Sequence, residues 1–316
     1  MKIAIVLNTS WNIYNFRMGL VRALQAQGHE VHAIAPADRY SRNLQGAGCI
    51  YHPLKMDARG ASFTKDFALI IELAALYRKI KPAVVLHYTV KPNVYGTLAA
   101  ALCGIPAINN VCGLGTIFLT RNLVSMVAIA LYKISFLFAK KVFFQNHDDL
   151  AMFVNRRLVS EKKTDLLPGS GINLDTFKAV EFRRNSRFTF LMVSRLIIDK
   201  GVVEFVEAAK ILKAKGIQAR FQLLGAKDTG HKRGIKSAII DEWIRSGVVE
   251  YLGTTNDVQP YIAMADCVVL PSYREGTPRC LLEAAGMSKP IVATDVPGCR
   301  QVVIDGFNGL LCELKN

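Results

Sequence analysis

Two short stretches of this 316-residue chain bring together residue types suited to an anionic ligand. The first is Ser194-Arg195-Leu196-Ile197-Ile198-Asp199-Lys200-Gly201, which follows the apolar run 188–193. Arg195 and Lys200 flank a short loop at the carboxyl end of a predicted strand, and Asp199 can cap the helix after it. Arginine grips a diphosphate as a fork and lysine adds a point charge. Together they can neutralise a departing nucleoside diphosphate without a metal. Cations at a helix start are opposed by its dipole, so their placement favours an anion at the same spot.

The second stretch is Pro271-Ser272-Tyr273-Arg274-Glu275-Gly276-Thr277-Pro278-Arg279-Cys280-Leu281-Leu282-Glu283-Ala284, after the apolar run 267–270. Thr277 suits a helix N-cap and Pro278 the first helical position. This puts Glu275 in a loop above a strand and Glu283 within the helix that follows, with free backbone N–H groups between them that suit phosphate. One carboxylate can accept from sugar hydroxyls at one end of a nucleotide sugar, the other from ribose hydroxyls at the far end. The same spacing also fits a capped strand-loop-helix with two solvated glutamates. No Asp-x-Asp pair occurs anywhere, so no metal site is expected.

These loops need a scaffold, and the hydrophobic pattern supplies one. Short apolar runs at 3–7, 31–35, 83–87, 107–111 and 142–145 read as strands. Amphipathic stretches at 14–27, 63–80, 91–103 and 122–139 read as helices, with Gly28 and Gly104 placed for left-handed caps. The segment 156–187, rich in charge and centred on Pro168-Gly169-Ser170-Gly171, reads as a linker. Alternation then resumes, with strands at 188–193, 220–224, 248–252, 267–270 and 291–294 and helices at 201–215, 235–246 and 278–286. Strand and helix in regular order imply a parallel sheet covered on both faces. The expected architecture is α/β, with two doubly wound domains at 1–168 and 169–316 facing across a cleft. Ligands of such sheets bind beyond the carboxyl ends of the strands.

Hydrophobic residues make up 51% of the chain, which excludes a disordered tail or a rod. The net charge of +15 points to an anionic partner. Residues 1–168 hold 20 Lys/Arg against 9 Asp/Glu, net +11, and the remainder 20 against 16, net +4, so that partner is expected at the first domain. Nucleic acid is not expected, because the basic residues are scattered rather than interleaved with aromatics on one face. The seven cysteines form no Cys-x-x-Cys pair and sit in or beside apolar runs, which fits a reducing, cytoplasmic compartment. The run 3–7 after Met1-Lys2 is too short for a signal peptide and reads as a first strand. Residues 121–141 are strongly apolar but interrupted by Lys133. They suit either a buried helix or one lying at a membrane surface with Arg121, Lys133, Lys140 and Lys141 at headgroup level.

With these residues in view, the chain resembles glycosyltransferase family 4, a retaining, GT-B-fold family using nucleotide-sugar donors. Ser194-Arg195-Leu196 with Lys200-Gly201, and 271–276 through Glu283-Ala284, carry the resemblance in the second domain. In the first, Asn12-Ile13-Tyr14-Asn15-Phe16-Arg17, Lys91-Pro92-Asn93-Val94-Tyr95-Gly96, Gly113-Leu114-Gly115 and Gly171-Ile172-Asn173 are similar to a bacterial branch. That branch extends undecaprenyl-diphosphate-linked sugars with N-acetylgalactosamine or galactose. The resemblance implies two Rossmann-like domains, no cofactor beyond a UDP-sugar donor substrate, and a polyprenyl-diphosphate-linked acceptor. It implies Arg195 and Lys200 at the donor diphosphate, Glu283 at the ribose, and Glu275 with the backbone of Gly276 and Thr277 at the donor sugar. Gly113 and Gly115 would let the first-domain backbone approach the donor, and Gly253 would lie by the base.

Many members carry a His on the loop after the fifth strand of the first domain; here that loop reads Asn109-Asn110-Val111-Cys112-Gly113. His87, Lys91 and Arg17 are the nearest acceptor-side candidates. Members continue through further helices beyond the equivalent of Asn316, so the second domain is expected to be truncated. The expected activity is a metal-independent transfer of a hexose or N-acetylhexosamine, by a peripheral protein on the inner face of the cytoplasmic membrane. A UDP-sugar epimerase or phosphorylase on the same fold, and a non-catalytic, membrane-associated nucleotide-sugar-binding subunit, are the alternatives.

Overall fold

Continuous apolar runs form central parallel strands here because both faces of each sheet are covered. The computed structural model describes residues 1–57, 62–113, 123–179, 187–227, 230 and 233–315. They divide into two compact units, Met1–Ser170 and Gly171–Asn316.

The first unit is built on seven parallel strands: β1 (Lys2–Val6), β2 (Glu30–Ala35), β3 (Ile50–Pro53), β4 (Val84–Tyr88), β5 (Ala107–Val111), β6 (Lys141–Phe144) and β7 (Thr164–Leu166). Their order is β3-β2-β1-β4-β5-β6-β7. The chain winds outward from β1 in both directions, so the β1/β4 boundary is the topological switch point. Helices α1 (Ser10–Phe16), α2 (Met18–Ala26) and α3 (Ser41–Gly46) supply one apolar layer, in which Ile13, Val21 and Leu44 pack with Ile5 and Leu7. Helices α4 (Phe63–Ile80) and α5 (Thr97–Leu102) supply another, where Leu69, Leu73 and Tyr77 meet Val6 and Val85. Helices α6 (Leu123–Phe138) and α7 (His147–Asn155) bury Tyr132, Phe136 and Phe153 against Val142 and Phe144.

The second unit carries six parallel strands, β8 (Phe188–Val193), β9 (Ala219–Leu224), β10 (Glu250–Tyr251), β11 (Cys267–Leu270), β12 (Ile291–Thr294) and β13 (Gly309–Cys312). Their order, β10-β9-β8-β11-β12-β13, places its switch point between β8 and β11. Helices α8 (Val202–Ala214), α9 (Ser237–Arg245), α10 (Gln259–Met264) and α11 (Arg279–Gly286) complete one core around Leu191, Val206, Leu223, Val268 and Leu281.

Four sequence expectations need correction. The helix expected over 14–27 is two helices broken at Arg17, whose backbone leaves the helical region (φ −127°, ψ 1°). The stretch 91–103 opens with a π-helical turn, Pro92–Gly96, before α5. The segment 156–187 is more than a linker: it contributes the border strand β7, whose polar, part-exposed residues hide it from a hydrophobicity pattern. It also contributes Phe177 to the second core. Finally, Pro278 rather than Thr277 occupies the N-cap of α11, with no side-chain cap. Gly28 and Gly104 do adopt left-handed φ of 75° and 65°.

Candidate functional site

Both sharp sequence signals converge on the switch point of the second sheet. Lys200 closes the 3-10 turn Ile198–Lys200 behind β8, and Glu275 stands in the loop behind β11. Their side chains form an ion pair with only 23% and 11% exposure. Backbone bonds lock the two loops together. The Asp199 carbonyl accepts from the Tyr273 N–H at 2.9 Å and from the Ser272 hydroxyl at 3.1 Å. The Thr294 hydroxyl donates to the Ser272 carbonyl, and the Glu275 N–H donates to the Pro297 carbonyl at 3.2 Å. This ties in the loop behind β12.

Two glycines make that closure possible. Gly201 has φ 74°, and a Cβ there would overlap the Pro271 carbonyl. Gly298 has φ 88°, and a Cβ would overlap the Gly276 carbonyl and crowd the Glu275 backbone. Only glycine permits both the left-handed backbone and the close approach. Gly276 is itself buried in this junction.

Glu283 lies inside α11, buried, and takes the Arg279 Nε–H on its Oε1 at 2.7 Å. Burial pushes its carboxyl above the usual glutamate range, and the Arg279 charge only partly offsets this. Arg195 follows β8 with an exposed side chain. Asp199 is held by Arg233 at 2.6 Å and supplies no side-chain cap to α8, whose N-cap is Gly201. Gly253 has φ 79°, and its carbonyl accepts from the Gly225 N–H at 2.8 Å. Tyr273 donates its hydroxyl to Glu204, and burial with that carboxylate lifts the phenol to about 12.

In the first unit His87 is fully buried. Its Nε2 pairs with the Tyr77 hydroxyl at 2.8 Å and its Nδ1 with Asn109 Oδ1 at 3.0 Å, while Gly96 presses on the ring. Burial pulls its pKa down to about 4. That placement makes it a neutral core residue, out of reach of an acceptor. Lys91 is engaged by Asp66 at 2.7 Å, and Asp66 also accepts from the Tyr95 hydroxyl. Arg17 is buried at the carboxyl edge of the sheet beside Tyr88 and Cys112. Gly113 directly follows, with φ 117°. Gly115 and Arg121 lie outside the described residues.

Residues 2–146 match the family described as glycosyl transferase 4-like, and residues 187–316 match glycosyl transferases group 1. The whole chain aligns at 32% identity with 86% of the N,N'-diacetylbacillosaminyl-diphospho-undecaprenol alpha-1,3-N-acetylgalactosaminyltransferase of Campylobacter jejuni. The chain belongs to glycosyltransferase family 4. A second relative of this transferase is the UDP-Gal:alpha-D-GlcNAc-diphosphoundecaprenol alpha-1,3-galactosyltransferase of Escherichia coli, 28% identical over 82% of the chain and 69% of that protein. The fold matches sucrose-phosphate synthase of Thermosynechococcus elongatus with a TM-score of 0.81 at 19% identity, covering all of this chain and 86% of that one. The transferase therefore has the GT-B fold.

Sequence reading did not single out Arg279 as the partner of Glu283, although their four-residue separation within a helix was a usable signal. Nor did it identify Gly298, which carries no local mark of its contact with Glu275.

Proposed function

We propose that this glycosyltransferase moves a hexose or N-acetylhexosamine from a UDP-sugar, with retention at the anomeric carbon and without a metal ion, to a polyprenyl-diphosphate-linked glycan. The observation that carries this reading is the Lys200–Glu275 pair at the β8/β11 switch point, with the Arg279–Glu283 pair in α11, the helix that follows the Glu275 loop. The similarity to two enzymes named for undecaprenyl-diphosphate-linked sugars, over 100% and 82% of the chain, supports the acceptor class.

In this reading Arg195 and Lys200 hold the donor diphosphate, and Glu283 takes the ribose hydroxyls. Without donor, Lys200 and Glu275 serve as each other's counter-ion. An entering diphosphate competes for Lys200 and releases Glu275 toward the donor sugar, with the backbone of Gly276 and Thr277 beside it and Gly253 toward the base. In the reaction the bond from the anomeric carbon to the diphosphate oxygen breaks. The acceptor hydroxyl oxygen bonds to that carbon, and its proton leaves with UDP. Cations fixed where negative charge accumulates lower the barrier to that departure. Gly113, Gly115, Lys91 and Arg17 belong to the acceptor-facing unit.

The same reading places the protein peripherally on the inner face of the cytoplasmic membrane. Among the described residues no helix is long and apolar enough to cross a bilayer. Helix α6 buries Tyr132, Ser135 and Phe136 but exposes Met126, Ile134, Leu137 and Phe138 beside Lys133. An apolar face edged by cations suits an interfacial position. The test of the catalytic reading is UDP release from a panel of UDP-sugars, with and without a lipid-diphosphate acceptor. Acceptor-dependent release supports transfer; release with inorganic phosphate alone would favour a phosphorylase.

A further inference from the structure

Among the described residues, Arg17 is a buried cation without a counter-ion. It sits in the break between α1 and α2, 8% exposed, with its guanidinium 4.3 Å from the centre of the Tyr88 ring. One terminal nitrogen donates to the Phe16 carbonyl at 3.0 Å, and the other faces the Cys112 sulfur at 3.4 Å. Its Nε–H is buried with no partner. Among the described residues no carboxylate pairs with it, and the segment 114–122, which continues from Cys112-Gly113, contains no Asp or Glu. Burial raises the Cys112 thiol, which stays neutral and supplies no negative charge. Arginine does not shed its proton in proteins, so burying it without an anion is costly unless a ligand supplies one.

The position is informative as well. Tyr88 is the last residue of β4, and Arg17 follows β1 through α1, so the guanidinium lies by the β1/β4 switch point. This is where a doubly wound sheet binds its ligand. The next residue, Thr89, adopts φ 65°, an uncommon backbone for a β-branched residue, and its hydroxyl is also buried without a partner. A guanidinium Nε–H and a hydroxyl, each buried without a partner, thus lie at the same switch point, one against Tyr88 and the other on the residue after it. In the second unit the corresponding cation, Lys200, already has Glu275.

We propose that Arg17, with the Thr89 hydroxyl, forms a phosphate subsite in the first unit that takes the diphosphate of a substrate. The proposal rests on the transferase reading only for which substrate brings that diphosphate. Both the lipid-linked acceptor and the UDP-sugar carry one, and a planar fork suits either.

The primary experiment needs no turnover. Pyrophosphate is titrated calorimetrically into the Lys200→Ala protein, which removes the principal second-unit cation, and into the same protein with Arg17→Lys or Arg17→Gln added. At least tenfold weaker binding in both double variants supports the subsite. Unchanged affinity in them overturns it. Should the Arg17 variants fold poorly, hydrogen exchange of the Lys200→Ala protein decides. Protection of peptides spanning 10–18 and 86–90 by pyrophosphate is expected, and its absence refutes the subsite.

Single-site Arg17→Lys then identifies the source. A raised KM for the lipid-diphosphate acceptor with unchanged UDP affinity assigns the subsite to the acceptor; weakened UDP binding assigns it to the donor. If no UDP-sugar is turned over by the unmodified protein, the transferase reading fails while the pyrophosphate result still stands.

Discussion

Lys200 and Glu275, 75 residues apart in the chain, close an ion pair across neighbouring strand ends of the second sheet. Each is mostly shielded from water, so removing one leaves the other charge poorly compensated. The two deletions should therefore differ. In the proposed role Lys200 holds the donor diphosphate, so Lys200→Ala should cost about 2–4 kcal/mol of transition-state stabilisation, like loss of one oxyanion donor. Glu275→Gln frees Lys200, so UDP affinity should hold or tighten while turnover falls. Calorimetric UDP titration with steady-state kinetics checks this; equal loss of UDP affinity in both variants contradicts the division of roles.

With Glu283 at the ribose, as proposed, UDP binding should be sensitive to pH. Burial raises its carboxyl, with Arg279 only partly opposing, so it protonates at a higher pH than an ordinary glutamate. In the proposed role the ionised form accepts ribose hydroxyls, so UDP affinity should fall on acidification before that of a solvated carboxylate would. Stability runs the other way: a carboxyl raised in the fold favours the native state at low pH and loses that contribution as pH rises through its folded value. Glu283→Gln should bind UDP more weakly and show no such pH dependence. A parallel pH profile in the variant would remove Glu283 from the ribose.

Gly201 and Gly216 share a left-handed backbone, φ 74° and 77°, but only Gly201 is obstructed. Gly216→Ala should cost about 1 kcal/mol, the strain of an open left-handed site. Gly201→Ala adds a collision with the Pro271 carbonyl and should cost about 2–4 kcal/mol. Urea unfolding of the two variants provides the comparison, and equal costs would contradict the close approach.

His87 gives the first unit an acid-sensitive core. Its pKa in the fold is about 4, below the ordinary histidine value of 6.5, because burial disfavours the charged ring. The unfolded chain therefore binds the proton first, and stability should be lost as pH falls from 6.5 towards 4, by roughly 3 kcal/mol at the limit. Denaturant titrations across this window should show the slope, and His87→Gln should lack it. If instead transfer activity vanished in a fully stable His87→Gln protein, a core role would be insufficient.

Membrane association should depend on charge. Each Lys or Arg near an anionic leaflet is worth about 1 kcal/mol and is screened by salt. With residues 1–168 at net +11, the protein should sediment with anionic vesicles, leave them as salt rises, and bind neutral vesicles weakly. Binding indifferent to salt and lipid charge would indicate an apolar anchor instead.

Central strands such as Lys2–Val6 were legible because burial on both faces leaves an uninterrupted apolar run. Border strands were not: Ile50–Pro53, Thr164–Leu166 and Gly309–Cys312 are part-exposed and include polar residues, proline or glycine. The break at Arg17 was invisible because apolar periodicity continues through it. What draws its side chain inward is Tyr88 and Cys112, remote in sequence. The motifs marked Lys200, Glu275 and Glu283, yet spacing alone could not pair Lys200 with Glu275. Strand order does that, by making β8 and β11 neighbours. His87 was a candidate only by its place at a strand end, and its enclosure comes from Tyr77, Asn109 and Gly96, each on another element.

Among the described residues, each of the four apolar clusters draws its members from a single unit, three from the first and one from the second. Within these clusters a packing change therefore meets neighbours of its own unit. With the acceptor at the first unit and the nucleotide at the second, as proposed, this would offer a physical route to new specificities: the first sheet can drift in sequence while the second keeps its inherited chemistry. Relatives with different acceptors would then diverge fastest around β1 and β4, and slowest where Gly201 meets Pro271.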